Sequence, residues 1–447
     1  MNRRFIFGAV IALLLLNLAV GAKIYTDTMR IRGQAASEDS RANLDLVEDV
    51  LHKIKYEYVD GTNLTYRQLV YSALKGAVSR LDPHSEFLDP ESFHQLEDDT
   101  EGQFGGLGLV VALRGGFVTV VSPMDDTPGS RAGILAGDRI LKVDGRNVEH
   151  LALDAVVKQL RGQPGSTVII TVERPTSGIR KEYTLKRAAI QMVMVKDING
   201  KKEFPLDANK LGYVRILQFS EKTSDELEDA LDKLKHQGMQ GLVIDLRYNP
   251  GGLLDQAVEV CEKFLPRDQL VVSTEGRHTV EKYFARGHGD ELKGLPIVIL
   301  VNLSSASAAE IVTGCLQDLH RAVVLGEKTF GKGSVQTIFP LDDGAALKLT
   351  VAKYYTPSHK VIHQQGITPD IVVPISDTEE AALLVKGSPG GVAALSDKQT
   401  SALAGGDLAP GEDGRARIAA VRDRQLDRAL DVLKTLNAYR ALNVAGQ

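Results

Sequence analysis

Apolar and polar positions along the 447-residue chain change period several times, and each change marks a candidate element or domain edge. Residues 5–22 form an apolar run broken only by Asn17, preceded by Asn2-Arg3-Arg4 and followed by Lys23. A charged start, an apolar stretch and a polar exit are the pattern of an export signal, and at about 18 residues the run also nearly meets the length of a membrane span. Residues 1–22 therefore read as a signal peptide cleaved after Ala22, or as an N-terminal anchor with Arg3 and Arg4 on the cytoplasmic side. Both readings put the bulk of the chain outside the cytoplasm, periplasmic or otherwise extracytoplasmic, with attachment to the inner membrane under the second. After a linker at 23–42, Leu46, Val50 and Ile54, then Leu69, Ala73, Ala77 and Leu81, recur at helical spacing. Turn chemistry at Asp60-Gly61 and Asp82-Pro83 separates and ends these stripes, so 43–100 is expected to be a small helical region.

From 101 to 188 short β-type runs alternate with glycines, at 107–113, 117–121, 139–143 and 167–173. Leu153, Val156, Val157 and Leu160 supply the stripe of one short helix among them. From 189 to 375 strands and helices mix: 212–216, a helix near 224–236, then 242–246, a further helix and 297–301, the signature of an α/β core. Residues 376–415 are expected to be a flexible linker, because 386–415 is rich in Gly, Ala, Ser, Pro and Asp without sustained periodicity. A last amphipathic helix, marked by Ile418, Val421, Leu426, Leu430 and Leu433, spans 416–447 and is expected to dock or pair through that stripe.

Composition narrows the class. Hydrophobic residues at 43% and charged residues at 25% exclude a mostly disordered chain and a multi-span membrane protein. Lys plus Arg number 53 against 58 Asp plus Glu, with no basic stripe, so nucleic acid is not an expected partner. Cys261 and Cys315, the two cysteines, sit inside apolar helical patterns and read as buried free thiols rather than a disulfide framework.

Two places in the core run from a strand straight into a helix. The first passes Arg247-Tyr248-Asn249-Pro250-Gly251-Gly252; the second passes Asn302-Leu303-Ser304-Ser305-Ala306-Ser307. Each helix start leaves unpaired N–H groups and a positive dipole end. If the strands are neighbours, the amides of Gly251 or Gly252 and of Ala308 form one pocket for a developing oxyanion. A phosphate site is the rival for a glycine-rich turn, yet Leu253 and Leu254 follow where Gly-Lys-Ser/Thr would stand. Histidine is the usual base for a serine nucleophile, but no histidine has a motif of its own, and Pro357 with Val361 and Ile362 argues against a helical His359/His363 metal pair. Lysine is the other base, since burial leaves a neutral amine. Lys332, between Gly331 and Gly333, is the best candidate, with Gln336 four residues on to orient it. In a straight strand those four residues span about 13 Å, so the segment must bend for the two to meet. Pattern alone leaves a surface Lys332 as the leading alternative.

Two resemblances bear on that choice. The segments 104–109 (Phe-Gly-Gly-Leu-Gly-Leu), 130–134 (Ser-Arg-Ala-Gly-Ile) and 137–145 (Gly-Asp-Arg-Ile-Leu-Lys-Val-Asp-Gly) resemble a PDZ domain. That resemblance implies capture of a polypeptide C-terminus by Gly105, Gly106, Leu107, Gly108 and Leu109 together with Val156 and Leu160; Arg161 would pair with the terminal carboxylate or stand as an exposed helix-end cation. Residues 245–252, Ser305-Ala306-Ser307-Ala308-Ala309-Glu310 and 326–336 resemble the C-terminal processing, or tail-specific, serine peptidases. The likeness runs from 81–85 to 366–370. It implies a multidomain α/β protein: a mixed-sheet peptidase core of ClpP/crotonase type at 189–375, a PDZ domain at 101–188, and helical N- and C-terminal segments. It further implies Ser307 as nucleophile, Lys332 as base, Gln336 as its orienting partner, and no metal or organic cofactor. Ala309 replaces a third serine common in the family motif, a change one helix turn away from the dyad. Asp245 and Arg247 are expected to fix the strand end by ion pairing or hydrogen bonding. The implied partners are protein or peptide substrates bound by their C-termini, with a homo-oligomer or an adaptor protein as further classes. An inactive PDZ scaffold at the membrane and an acyl-transfer or hydratase enzyme on a related core are the competing readings.

Overall fold

The computed structural model describes residues 38–287, 289–387, 391–395, 400, 403 and 413–445. The apolar run at 5–22 lies outside them; among the described residues no helix is long and apolar enough to cross a membrane. The chain divides into two compact units, Met1–Phe87 and Leu88–Gln447.

In the first unit α1 (Glu38–Glu57) and α2 (Tyr66–Val78) take up the two stripes read from the sequence. Thr65 starts α2: its hydroxyl accepts from the Gln68 amide at 3.2 Å while the Gln68 side chain accepts from the Thr65 amide at 2.8 Å, a reciprocal cap. The short strand β1 (Glu86–Leu88) crosses into the second unit.

That unit opens with a helix the periodicity did not separate, α3 (Pro90–Glu101). Asp89 caps it by accepting from the Ser92 amide at 2.9 Å, Pro90 occupies the first turn, and Gly102 ends it at φ 70°. A β-rich subdomain follows: β2 (Gln103–Gly106), β3 (Leu109–Arg114), β4 (Phe117–Pro123), α4 (Pro128–Arg131), β5 (Arg139–Val143), β6 (Arg146–Asn147), α5 (Leu153–Leu160), β7 (Thr167–Arg174), β8 (Ile179–Lys186) and β9 (Ala188–Gln191). Its sheet has the order β3-β4-β5-β7-β8, and β2 pairs with β9. Val118, Val120, Ile140, Val168 and Ile170 close its own core.

The larger core holds β10 (Val195–Lys196), β11 (Leu211–Ile216), α6 (Thr223–His236), β12 (Gly241–Asp245), α7 (Leu254–Glu262), β13 (Leu270–Gly276), β14 (Val280–Phe284), β15 (Ile297–Val301), α8 (Ala308–Asp318), β16 (Val323–Gly326), β17 (Ser334–Pro340), β18 (Ala346–Tyr355) and β19 (Ile371–Val372). The main sheet has the order β10-β11-β12-β15-β16-β19 and is parallel except at β10. Pleating sends Leu242, Ile244, Ile297, Ile299 and Val301 to one face, where they pack with α6, α7 and α8. Val243, Val298 and Leu300 point to the other face, against Ala429 and Leu433. Cover on both faces is why these strands read as unbroken apolar runs. Cys261 and Cys315 are free and buried in the first of these cores.

The last elements are α9 (Asp377–Gly387), α10 (Gly414–Ala420) and α11 (Arg424–Ala445), whose stripe docks on the sheet. The expected linker at 376–415 therefore begins as a helix. Its anchor is tertiary: Glu380 Oε1 accepts from the Tyr248 hydroxyl at 2.8 Å, a contact no local periodicity announces.

Candidate active site

The two strand-to-helix turns are neighbours. β12 and β15 pair in parallel, with Asp245 opposite Leu300, so both turns emerge at the C-terminal edge of the sheet, where α/β folds place their sites. Hydrogen bonds zip the turns together: Ala306 N donates to Asn249 O at 2.9 Å, Ser305 Oγ to Leu246 O at 2.8 Å, and Tyr248 N to Asn302 Oδ1 at 3.0 Å. Ser305 is thus structural. The approach is close enough that a Cβ on Gly251 would lie 2.5 Å from Ser307 Cβ, and one on Gly252 would lie 2.1 Å from Phe219 O, so both positions require glycine.

Ser307 stands at the start of α8 with φ 57°, a left-handed conformation costly for serine that turns its side chain out of the helix line. It lines a cleft of about 680 Å³ together with Gly252, Ala308, Lys332, Gln336 and Tyr354. Phe93 and Leu96 of α3, with Leu254, Ile311 and Ile338, give the cleft apolar walls. The three expected oxyanion donors differ in state. Gly251 N donates to Asn249 Oδ1 at 2.8 Å and is committed to the turn. Among the described residues, the amides of Gly252 and Ala308 have no protein acceptor.

Lys332 is half-buried in the bend before β17. Burial, reinforced by the Lys348 charge and opposed by Glu310, holds its amine below the ordinary lysine value. Its Nζ makes no hydrogen bond to a protein group among the described residues. Gln336 reaches the same cleft across an irregularity in the β17–β18 register between Val335 and Gln336, but its amide donates to Ser334 Oγ at 2.9 Å and Thr350 Oγ1 at 3.2 Å, not to Lys332.

Two residues that the sequence reading gave no role bind the site together. Glu310, fully buried, accepts from Ser307 N at 2.9 Å, Lys332 N at 2.8 Å, Gly331 N at 2.7 Å and Thr329 Oγ1 at 2.5 Å. Burial pushes its carboxyl above the usual range, and those four donors pull it partly back. The Ser-x-x-Glu spacing at 307–310 was the available signal, since glutamate three residues past a helix start reaches back to its amide. Tyr354 had none: its phenol donates to Lys332 O and lies 3.2 Å from Ser307 Oγ from a strand far along the chain.

Behind the glycine turn, Asp245 and Arg247 pair as expected, with Arg247 Nη2 2.6 Å from Asp245 Oδ2. Arg247 also donates to Asp423 at 3.0 and 2.8 Å and to Gln425 Oε1 at 3.1 Å, while Asp245 accepts from the Tyr213 hydroxyl at 2.7 Å.

In the β-rich subdomain, Gly105 passes so near Gly162 O that a Cβ would meet it at 2.0 Å, and Gly106 pairs with Ala188. Leu107 is buried, and Gly108 is left-handed at φ 66°. The Leu107 and Gly108 amides have no protein acceptor among the described residues. Leu109 begins β3, which among the described residues is an edge strand paired with β4 alone. Val156 and Leu160, expected to line a peptide groove, are instead buried in the subdomain's core. Arg161 lies with its guanidinium 4.7 Å from the centre of the Phe104 ring and 3.9 Å from Asp99.

Comparison with known proteins agrees with this architecture. Residues 210–373 match peptidase family S41, and residues 119–174 match the PDZ domain. A carboxy-terminal-processing protease of Bartonella bacilliformis is 42% identical over 331 residues, 73% of this chain and 74% of the relative. A carboxyl-terminal-processing protease of Picosynechococcus is 38% identical over 314 residues, 70% of this chain and 74% of the relative. Among solved structures, the photosystem II D1 C-terminal processing protease is 31% identical, with a TM-score of 0.43 covering 77% of this chain and 97% of that one. The chain belongs to peptidase family S41, as a serine peptidase of the C-terminal processing type that carries a PDZ domain and acts on protein or peptide substrates.

Proposed function

We propose that this peptidase works outside the cytoplasm through a Ser307/Lys332 dyad, taking polypeptides by their C-terminal ends. The carrying observation is one cleft that collects Ser307, a partly desolvated Lys332 and two unpaired amides. Neutral Lys332 removes the Ser307 proton as Oγ attacks the scissile carbonyl. The amides of Gly252 and Ala308 receive the oxyanion, each such donor contributing about 3 to 4 kcal/mol to the transition state. Gly251 joins them only if its bond to Asn249 is released. The leaving amine takes the proton back from Lys332, and water then releases the acyl enzyme. Gln336 orients the Lys332 amine once substrate packs the cleft.

The dyad reading makes a directional statement about pH. Activity requires the uncharged amine, so it rises with pH through the Lys332 pKa. Lys348→Met removes the cation that helps keep Lys332 neutral, and the rising limb of the kcat/KM profile then moves to higher pH. An unmoved limb would exclude Lys348 as a neighbour that sets the base.

Substrate tails enter through the PDZ domain, which also regulates access to the cleft. Supporting this are the unpaired Leu107 and Gly108 amides and the open edge of β3, which suit a terminal carboxylate and an added strand. Val156 and Leu160 support the groove from inside the core. An unstructured protein with an apolar tail is the test substrate, and amidation of its C-terminus is expected to slow cleavage about tenfold. Equal rates for free and amidated tails would remove tail capture.

Export and attachment at the inner membrane rest on the pattern of residues 1–22. Mass spectrometry of the mature N-terminus distinguishes a cleaved signal from a retained anchor. Intact Ser307 and Lys332 weigh against the alternative of an inactive PDZ scaffold.

A further inference from the structure

We propose that Tyr354 is a positioning residue whose phenol sets the Ser307 hydroxyl and the Lys332 backbone in a common register. The inference rests on the dyad reading. Tyr354 is the last residue but one of β18, is 3% exposed, and has its own amide bonded to Gly333 O at 3.1 Å. Its phenol meets two groups: the Lys332 carbonyl and, at 3.2 Å, Ser307 Oγ.

A carbonyl oxygen only accepts, and a phenol has one proton. The Tyr354 phenol donates toward both Lys332 O and Ser307 Oγ, sharing that proton between them, so the Ser307 hydroxyl keeps its own proton free to turn. Glu310 already ties the two main chains, because its Oε2 accepts from both the Ser307 and the Lys332 amides. Tyr354 also bonds the reacting oxygen itself. With Lys332 Nζ making no hydrogen bond to a protein group among the described residues, Ser307 Oγ is located without its base. Transfer to Lys332 then needs rotation about the Ser307 Cβ–Oγ bond, a torsion that swings the proton and leaves the oxygen where Tyr354 has set it.

Tyr354→Phe in the full chain removes one oxygen and keeps the ring. We expect kcat to fall about tenfold with KM little changed, and labelling of Ser307 by a small fluorophosphonate to slow by a similar factor while reaching the same final stoichiometry. Rates are expressed per labelled site, so a variant that partly misfolds still reports. Replacing Tyr354 with 3-fluorotyrosine, which retains the hydroxyl, should restore both rates. Unchanged or faster kcat in Tyr354→Phe, or no recovery with 3-fluorotyrosine, would overturn the proposal. Ser307→Ala and Lys332→Ala run alongside. Their inactivity beside a normal Tyr354→Phe removes the role of Tyr354 alone, whereas cleavage by either removes the dyad reading itself.

Discussion

Ser307→Ala and Lys332→Ala should each lower cleavage of an unstructured protein by at least about a thousandfold, with residual activity set by the oxyanion amides and binding alone. The two losses are expected not to add, because in the proposed dyad nucleophile and base act as one unit. Ser307→Ala should also abolish fluorophosphonate labelling. Lys332→Arg should not rescue, since a guanidinium stays protonated at every working pH and accepts nothing. The fold should tolerate both alanine changes: Ser307 and Lys332 are held by their main-chain amides on Glu310, which alanine keeps. Circular dichroism and a thermal midpoint near the parent's check that point. Substantial cleavage by either alanine variant would mean that another nucleophile or base does the chemistry.

Arg247→Ala should be among the most destabilising single changes in the protein, at about 3 to 5 kcal/mol, because it leaves a buried charge without its partner. Asp245 is fully buried and, among the described residues, keeps only the Tyr213 hydroxyl as a side-chain donor once the guanidinium is gone. In the parent, burial pushes the Asp245 carboxyl up, and the Arg247 charge and hydrogen bonds outweigh it, so the folded-state value lies below the ordinary one. A depressed carboxylate contributes stability that is present above its unfolded pKa and lost as pH falls through the folded value. In the variant, burial acts unopposed by Arg247 and favours the neutral acid, so the deficit relative to the parent should be largest near neutrality and shrink toward acid pH. Urea midpoints measured across that range provide the check. A deficit independent of pH would place the loss in packing rather than in the pair. Activity should fall alongside stability, since the same guanidinium anchors the turn carrying Gly251 and Gly252.

Much of this was legible in the sequence, for identifiable reasons. Residues 242–246 and 297–301 read as buried strands because both faces of the sheet are covered, and the two glycine- and serine-bearing turns follow directly from them. That the turns are neighbours is a statement about strand order, supplied by the β12–β15 pairing. What escaped depends on contacts distant in sequence. Tyr354 reaches Ser307 across 47 positions from a strand whose alternation looks ordinary. Helix α3 has only Phe93 and Leu96 as apolar signal, although Asp89-Pro90 was a start mark. Helix α9 was hidden in a stretch read as linker because Glu380 anchors it to Tyr248, a bond spanning 132 positions. Val156 and Leu160, buried in the subdomain's core, show a different limit: a helical stripe marks an apolar face and does not say whether a ligand or the protein's own core covers it.

The ion-pair cluster behind the glycine turn has a consequence for biosynthesis. Arg247 donates two of its hydrogen bonds to Asp423, 176 positions further along the polypeptide. While the ribosome is still adding that stretch, the nascent chain already holds Ser307 and Lys332 but not the fastening for the loop beside them, so that loop is secured only after Asp423 has been made.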